Sequence, residues 1–184
     1  MIKSLFYQFI KKQNQLNSLE INNICVVYLS ALDTLQGLYL LNKGCKVRFY
    51  NPEIIYILLR TLDLTGYFAL KLGALETLQV LAICCPSSVS IIEQQQGICK
   101  IIALLKRRYA EEYVRLKIIE FLYIYLSEES TEDPQELVNR KEKLAKLVGK
   151  NFVSKLSEET DLKKIFGKKA QETFTLDQDP FSPK

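Results

Sequence analysis

The side chains of this chain best suited to meeting a ligand are basic. Lys106, Arg107 and Arg108 run consecutively, with Lys100, Arg115 and Lys117 close in sequence, and together they are the best candidate for a charged binding surface. The same cations stand where the C-terminus of a helix welcomes positive charge, so a capping role and a partner contact are both open. As a nucleic-acid surface the cluster is weak, because Glu111, Glu112 and Glu120 are interleaved and no stripe of one sign emerges. Glu120 lies between Ile118-Ile119 and Phe121-Leu122, in the most apolar helix of the chain. A carboxylate there needs an exposed stripe or a partner. Lys117, three residues earlier, can share its face, and Arg115 and the hydroxyls of Tyr123 and Tyr125 are the other neighbours in sequence. Lys106, Arg107, Arg108, Arg115, Lys117, Glu120 and Tyr123 are therefore the candidate partner-binding residues.

Chemistry finds little else to work with. Histidine is absent, which removes every mechanism that uses imidazole as base or ligand, the common serine and cysteine triads included. The glycines never fall as GxGxxG, GxSxG or GxxxxGK, and no cysteine is followed six positions later by arginine. Dinucleotide loops, nucleophile elbows, P-loops and the phosphate cradle of cysteine phosphatases are thereby excluded. The acid pairs Glu111-Glu112, Glu128-Glu129 and Glu158-Glu159 read as solvated helix ends or loops. Five cysteines, Cys25, Cys45, Cys84, Cys85 and Cys99, show no CxxC spacing and read as small buried hydrophobes in a reducing compartment. The expectation is a non-enzyme with no metal and no cofactor.

The elements that must position the basic cluster follow from a repeat. Leu32, Leu35, Leu38 and Leu40 recur 43 residues later as Leu75, Leu78, Leu81 and Ile83, and again as Ile118, Phe121, Ile124 and Leu126. Ile55, Leu58 and Leu59 match Ile98, Ile101 and Ile102 at the same offset. A period in the low forties is the size of one HEAT/armadillo unit, whose helices complete a core only by stacking on their neighbours, and such proteins usually bind other proteins. Apolar spacings of three and four predict helices over 22–41, 52–62, 70–84, 98–108 and 111–126, with a short one from Ser87 or Ser88 to Gln95 capped by one of those serines. Asn42-Lys43-Gly44 suits a left-handed C-cap, and Asn51-Pro52-Glu53 supplies an N-cap, a first-turn proline and an acid. Further helices are expected over 135–148, ended by Gly149, over 151–156, and near Leu162 to Phe166. All ten tyrosines precede Thr131; the remainder is richer in charge. The fold expected is all-α, an armadillo/HEAT-like short α-solenoid with C-terminal helices, spanning 1–167 and followed by an extended or disordered, flexible tail over 168–184.

At 184 residues, 48% hydrophobic and 25% charged, the chain is long enough for one sizeable core. Its unbroken apolar runs fall far short of the roughly 20 residues that cross a bilayer, and the N-terminus lacks the pattern of a secretory signal. No spanning segment, no membrane insertion and a cytoplasmic or nucleocytoplasmic location are expected. The net charge of +4 is too small to demand nucleic acid or an anionic membrane.

The stretch Val114-Arg115-Leu116-Lys117-Ile118-Ile119-Glu120-Phe121-Leu122-Tyr123-Ile124-Tyr125-Leu126-Ser127-Glu128 resembles an Arg-x-Lys-x-x-Glu-Phe-Leu-Tyr-x-Tyr-Leu-x-x-Glu-like block, with Glu129 standing for the last acid. That block belongs to the cell division control protein fourteen family of the fungal septation initiation network, a non-catalytic family unrelated to the phosphatase that shares the name. Upstream, Ile92-Glu93-Gln94-Gln95-Gln96-Gly97-Ile98 and Leu104-Leu105-Lys106 continue the similarity; downstream, Leu147-Val148-Gly149-Lys150 and Ile165-Phe166-Gly167 look like the family's C-terminal helix and its end. Coverage runs from about Leu35 to Gly167. The resemblance implies an armadillo-like protein that binds and supports a Ste20-related kinase of the germinal-centre class in mitotic exit or septation, at spindle poles.

The function expected is accordingly a kinase-binding adaptor with no nucleic-acid partner. The alternative is a helical-repeat protein that assembles with itself or with the cytoskeleton, since an exposed stacking face can also pair with its twin. Ser182-Pro183-Lys184 has the form of a minimal proline-directed kinase site.

Overall fold

Every element among the described residues is an α-helix. The computed structural model describes residues 2–12, 18–41, 51–107, 112–127, 131 and 133–158. In chain order the helices are α1 (Ile2–Lys12), α2 (Ser18–Leu41), α3 (Pro52–Thr61), α4 (Phe68–Cys84), α5 (Ser87–Gln94), α6 (Gly97–Leu105), α7 (Glu112–Tyr125), α8 (Pro134–Val148) and α9 (Lys150–Glu158). The expected C-cap at Asn42-Lys43-Gly44, the helix near Leu162 to Phe166, the Ser182 site and the tail beyond Gly167 lie outside the described residues.

Local chemistry explains most boundaries. Asn51 Oδ1 accepts the backbone N–H of Glu53 at 2.9 Å, and Pro52 takes the first helical position, where no N–H is needed. Asp133 repeats the device ahead of Pro134, its carboxylate accepting from the N–H of Gln135 at 2.9 Å. Gly149 ends α8 with φ +94°, a backbone state that glycine adopts without a steric penalty. The start of α5 differs from expectation. Neither Ser87 nor Ser88 caps it; both lie inside the helix, which opens after Pro86 with the Ser88 N–H donating to the Cys85 carbonyl.

The 43-residue spacing can be followed in part through the packing. The long helices succeed one another, α2 against α4 and α4 against α7, while α1 and α3 lie beside their own long helices, and α6 beside α7. Leu32, Leu75 and Ile118 are all buried, as are Leu35, Leu78 and Phe121. Removing a side chain of that size from water contributes roughly 1.5–3 kcal/mol. The later positions of the stripe diverge: Leu81 and Leu126 are buried, whereas Leu38, Leu40 and Ile83 are exposed. Ile55, Leu58, Leu59, Ile98, Ile101 and Ile102 all join the core. At the α2–α4 contact leucine side chains of α2 pack onto the backbone of Gly73, where a Cβ would meet Leu29 Cδ2 at 3.0 Å and Leu32 Cδ1 at 3.3 Å.

A polar element repeats as well. Gln36 Nε2 donates from α2 to Thr77 Oγ1 on α4 at 3.0 Å, and Gln79 Nε2, 43 residues on, donates from α4 to Glu120 Oε2 on α7 at 3.4 Å. The acceptors Thr77 and Glu120 are themselves 43 residues apart. Thr34, one period before Thr77, has the same internal bond: each hydroxyl donates at 2.7 Å to the carbonyl four residues back, Ser30 or Gly73.

One expectation is corrected. Leu19–Leu41 is long and apolar enough to cross a bilayer on length and composition, although it serves as the helix that α1 and α4 flank, with 28% of its 18-residue apolar window buried. Counting unbroken runs passes over it, because Asn22, Asn23, Asp33 and Gln36 interrupt the apolar sequence.

Candidate functional site

The basic cluster begins where α6 ends. The backbone N–H groups of Lys106 and Arg107 donate to Ile102 and Leu104 at 3.0 and 3.2 Å, closing the last turn. Lys106 then reaches across to α8, its Nζ donating to the Leu147 carbonyl at 2.7 Å, so one cation serves two helix C-termini. Arg107 is exposed. Beneath it Lys71 is buried on α4, and burial, followed by the nearby Arg107 charge, holds its pKa below the ordinary lysine value against the opposing pull of Asp63. Asp63 itself takes Lys100 Nζ at 2.8 Å and Arg60 at 3.6 Å. Arg108 lies outside the described residues.

The α7 candidates divide by direction. Lys117 Nζ binds Glu120 Oε2 at 2.8 Å and stands 3.6 Å from Glu76 Oε1 on α4. Burial works against its charge, but Glu120 and then Glu76 outweigh it and hold its pKa above the usual lysine range. Gln79 completes the cluster by donating to the Lys117 carbonyl at 3.0 Å as well as to Glu120. Lys117 and Glu120 thus form a tie between α4 and α7. Tyr123 is half-buried against the core, and Arg115 faces solvent from the same helix. The fold brings Lys117 and Glu120 together, while Lys106 is drawn to α8 instead.

A second constellation escaped the sequence reading. Arg140 on α8 is 1% exposed, with Nη2 donating to Glu136 Oε1 at 2.7 Å and Nη1 to the Tyr125 carbonyl at 3.4 Å. Its guanidinium carbon lies 5.4 Å from the centroid of the Tyr125 ring, within cation–π range, and its Nε is 3.7 Å from Glu93 Oε1. The Tyr125 hydroxyl donates to that same Glu93 oxygen at 2.7 Å, and Lys143 Nζ binds the other at 2.6 Å. Burial, then the adjacent Glu93 carboxylate, pushes the Tyr125 phenol far above its ordinary range, so it stays protonated. Glu136 is held the other way: Thr131 Oγ1 donates to it at 2.6 Å, and that bond, with Arg140, keeps its pKa below the usual carboxylate value despite some burial. The group ties α5, α7 and α8 and borders a cleft of about 320 Å³ lined by Glu93, Gln96, Ile98, Cys99, Tyr125 and Lys146, among others. The sequence signal available was the i, i+4 spacing of Glu136 and Arg140, which an exposed helix shows equally.

These geometries supply physical reasons for the residues in the two quoted blocks. Glu93 accepts from Tyr125 and Lys143. Gly97 is required by contact, since a Cβ there would come within 2.6 Å of Ile92 Cγ2 and 2.9 Å of Leu59 Cδ2. Phe121, Leu122, Tyr125 and Leu126 are core. Comparison with known proteins points the same way. Cell division control protein 14 of Schizosaccharomyces pombe (strain 972 / ATCC 24843) is 27% identical over 98 residues, a stretch that covers 53% of this chain and 41% of that relative. No solved structure matches. Residues 4–179 match the family described as Cell division control protein 14, SIN component, a description that places it in septation signalling. With nearly its whole length matched, this chain belongs to that family.

Proposed function

We propose that the chain is a non-catalytic adaptor, an armadillo/HEAT-like short α-solenoid that holds a Ste20/germinal-centre-class protein kinase in a septation or mitotic-exit pathway, at a spindle pole. The observation that carries this reading is an asymmetry within the family's own block. Lys117 and Glu120 are spent on α4, and Phe121, Leu122, Tyr125 and Leu126 on the core, whereas Arg115 faces solvent, as does Arg107 at the end of α6. Exposed guanidinium groups suit the carboxylates or phosphates of a signalling partner.

Affinity purification of the tagged chain from dividing cells tests the proposal. The kinase is expected to copurify with the unaltered chain, and Arg107→Glu with Arg115→Glu is expected to reduce its recovery at least tenfold while the melting temperature stays within about 2 °C, as for exposed sites. Absence of any germinal-centre-class kinase from the unaltered purification, or undiminished recovery with the double variant, would overturn the assignment.

A further inference from the structure

We propose that the outward face of α2 is a docking surface for an amphipathic helix of another protein, one presenting leucines at i and i+3 and a glutamine at i+7. The proposal rests on the internal register of the stack, and its residues are distinct from those assigned to the kinase.

Each contact between successive long helices has a donating and a receiving face. The donating face is Leu29-x-x-Leu32-x-x-x-Gln36 on α2 and Leu72-x-x-Leu75-x-x-x-Gln79 on α4. The receiving face on α4 includes Gly73, against which Leu29 and Leu32 lie, and Thr77, whose hydroxyl donates to the Gly73 carbonyl and accepts from Gln36 Nε2. One period earlier those positions are Ser30 and Thr34 on α2. The Thr34 hydroxyl already donates to the Ser30 carbonyl at 2.7 Å, as Thr77 does to Gly73, so its free lone pair is set as an acceptor. Thr77 is buried under α2; Thr34 is exposed. Leu81 is 1% exposed and its counterpart Leu38 40%, while Val26 and Leu41 stand 62% and 90% exposed on the same helix. A Cβ added at Gly37 would meet nothing within 4 Å. Among the described residues, helix α2 therefore carries a receiving face with nothing seated on it.

The register also identifies the occupant. In a second copy of this chain both Leu-x-x-Leu-x-x-x-Gln faces are already used internally, on α4 and α7, so a twin cannot supply the donating side. A lipid surface fits less well, because Ser30 and Asp33 lie among the exposed apolar residues and hydrocarbon offers their hydroxyl and carboxylate no partner. A helix from a different chain satisfies both the apolar residues and the Thr34 acceptor.

The probe is a helix-stapled peptide with Leu, Leu and Gln at those positions on a Lys/Glu/Ala background, titrated by fluorescence anisotropy against the full chain. Saturable binding is expected, weakened at least tenfold by Val26→Asp, an exposed site whose thermal melt should not change. Replacing the peptide glutamine by alanine should weaken binding about fivefold against the unaltered chain, and that difference should vanish against Thr34→Val. No saturation up to about millimolar peptide, or undiminished binding to Val26→Asp, would overturn the proposal. Concentration-dependent dimerisation abolished by Val26→Asp would assign the face to a second copy, and displacement of the peptide by phosphatidylcholine/phosphatidylserine vesicles would assign it to lipid; either result also overturns it. Loss of the kinase in the Arg107/Arg115 variant with peptide binding intact would separate the two surfaces.

Discussion

Arg140 shows at the scale of one residue how little a charge says about its surroundings. It sits in a helix where Lys141, Glu142, Lys143 and Lys146 are the neighbours, a composition that reads as solvated, yet it is almost wholly enclosed. Its charge is stabilised by two carboxylates and an aromatic face, so removing it takes a cation from Glu136 and Glu93, leaves Glu93 only Lys143 and the Tyr125 hydroxyl, and empties an enclosed space beside the Tyr125 ring. Breaking one member of a buried ion pair costs about 3–5 kcal/mol. Arg140→Ala should lower the unfolding free energy by that amount in a urea titration; a loss below about 1 kcal/mol would mean that the network adds nothing measurable. Burial of Arg140 was not legible in the sequence because spacing to Glu136 is the same for a solvent pair and a buried one. Glu120 was more readable, since four flanking apolar residues forced the choice between an exposed stripe and a partner, and Lys117 was within reach of its face.

At the scale of elements, the 43-residue period located the long helices through Leu32, Leu75 and Ile118 because burying one face demands an apolar residue at every turn. The same logic is silent about polar contacts between layers. Gln36 and Gln79 occupy equivalent positions, but a glutamine is ordinary on any helix, and only the observed bonds to Thr77 and Glu120 reveal the correspondence. The α5–α6 junction shows a further limit. Gln96 adopts φ +57°, and Gly97 follows it pressed against Ile92 and Leu59, so the turn is set by close packing rather than by a capping side chain. Gly97→Ala is expected to destabilise by about 1–3 kcal/mol, as overpacking does, read as a fall in the denaturation midpoint at unchanged helix content by circular dichroism. An unaltered midpoint would show that α6 can shift away from α3 and α5 at no cost.

For the molecule as a whole, proton linkage gives a test that sums over the fold. Tyr28, buried beneath α1 and bonded to Thr61 Oγ1 at 2.9 Å, has its pKa pushed up to about 12 by burial, partly offset by that bond, and Tyr125 is raised in the same direction. Both phenols stay protonated in the fold at a pH where the unfolded chain loses their protons. Their contribution is therefore complete below the ordinary tyrosine value of about 10 and disappears as pH rises through the folded values. Lys117, also raised, acts in the same sense, whereas Lys71, lowered first by burial, acts in the opposite one. Tyr28→Phe isolates one group from this sum. The unaltered protein should lose stability between about pH 10 and about pH 12, with Tyr28 contributing a slope that approaches about 1.4 kcal/mol per pH unit once its unfolded form is fully ionised. The variant should begin weaker by about 1 kcal/mol through loss of the Thr61 hydrogen bond and then decline less steeply. Parallel pH profiles for the two proteins would show that Tyr28 titrates as freely in the fold as in water, and that α1 does not seal the end of the core where Phe6 meets it.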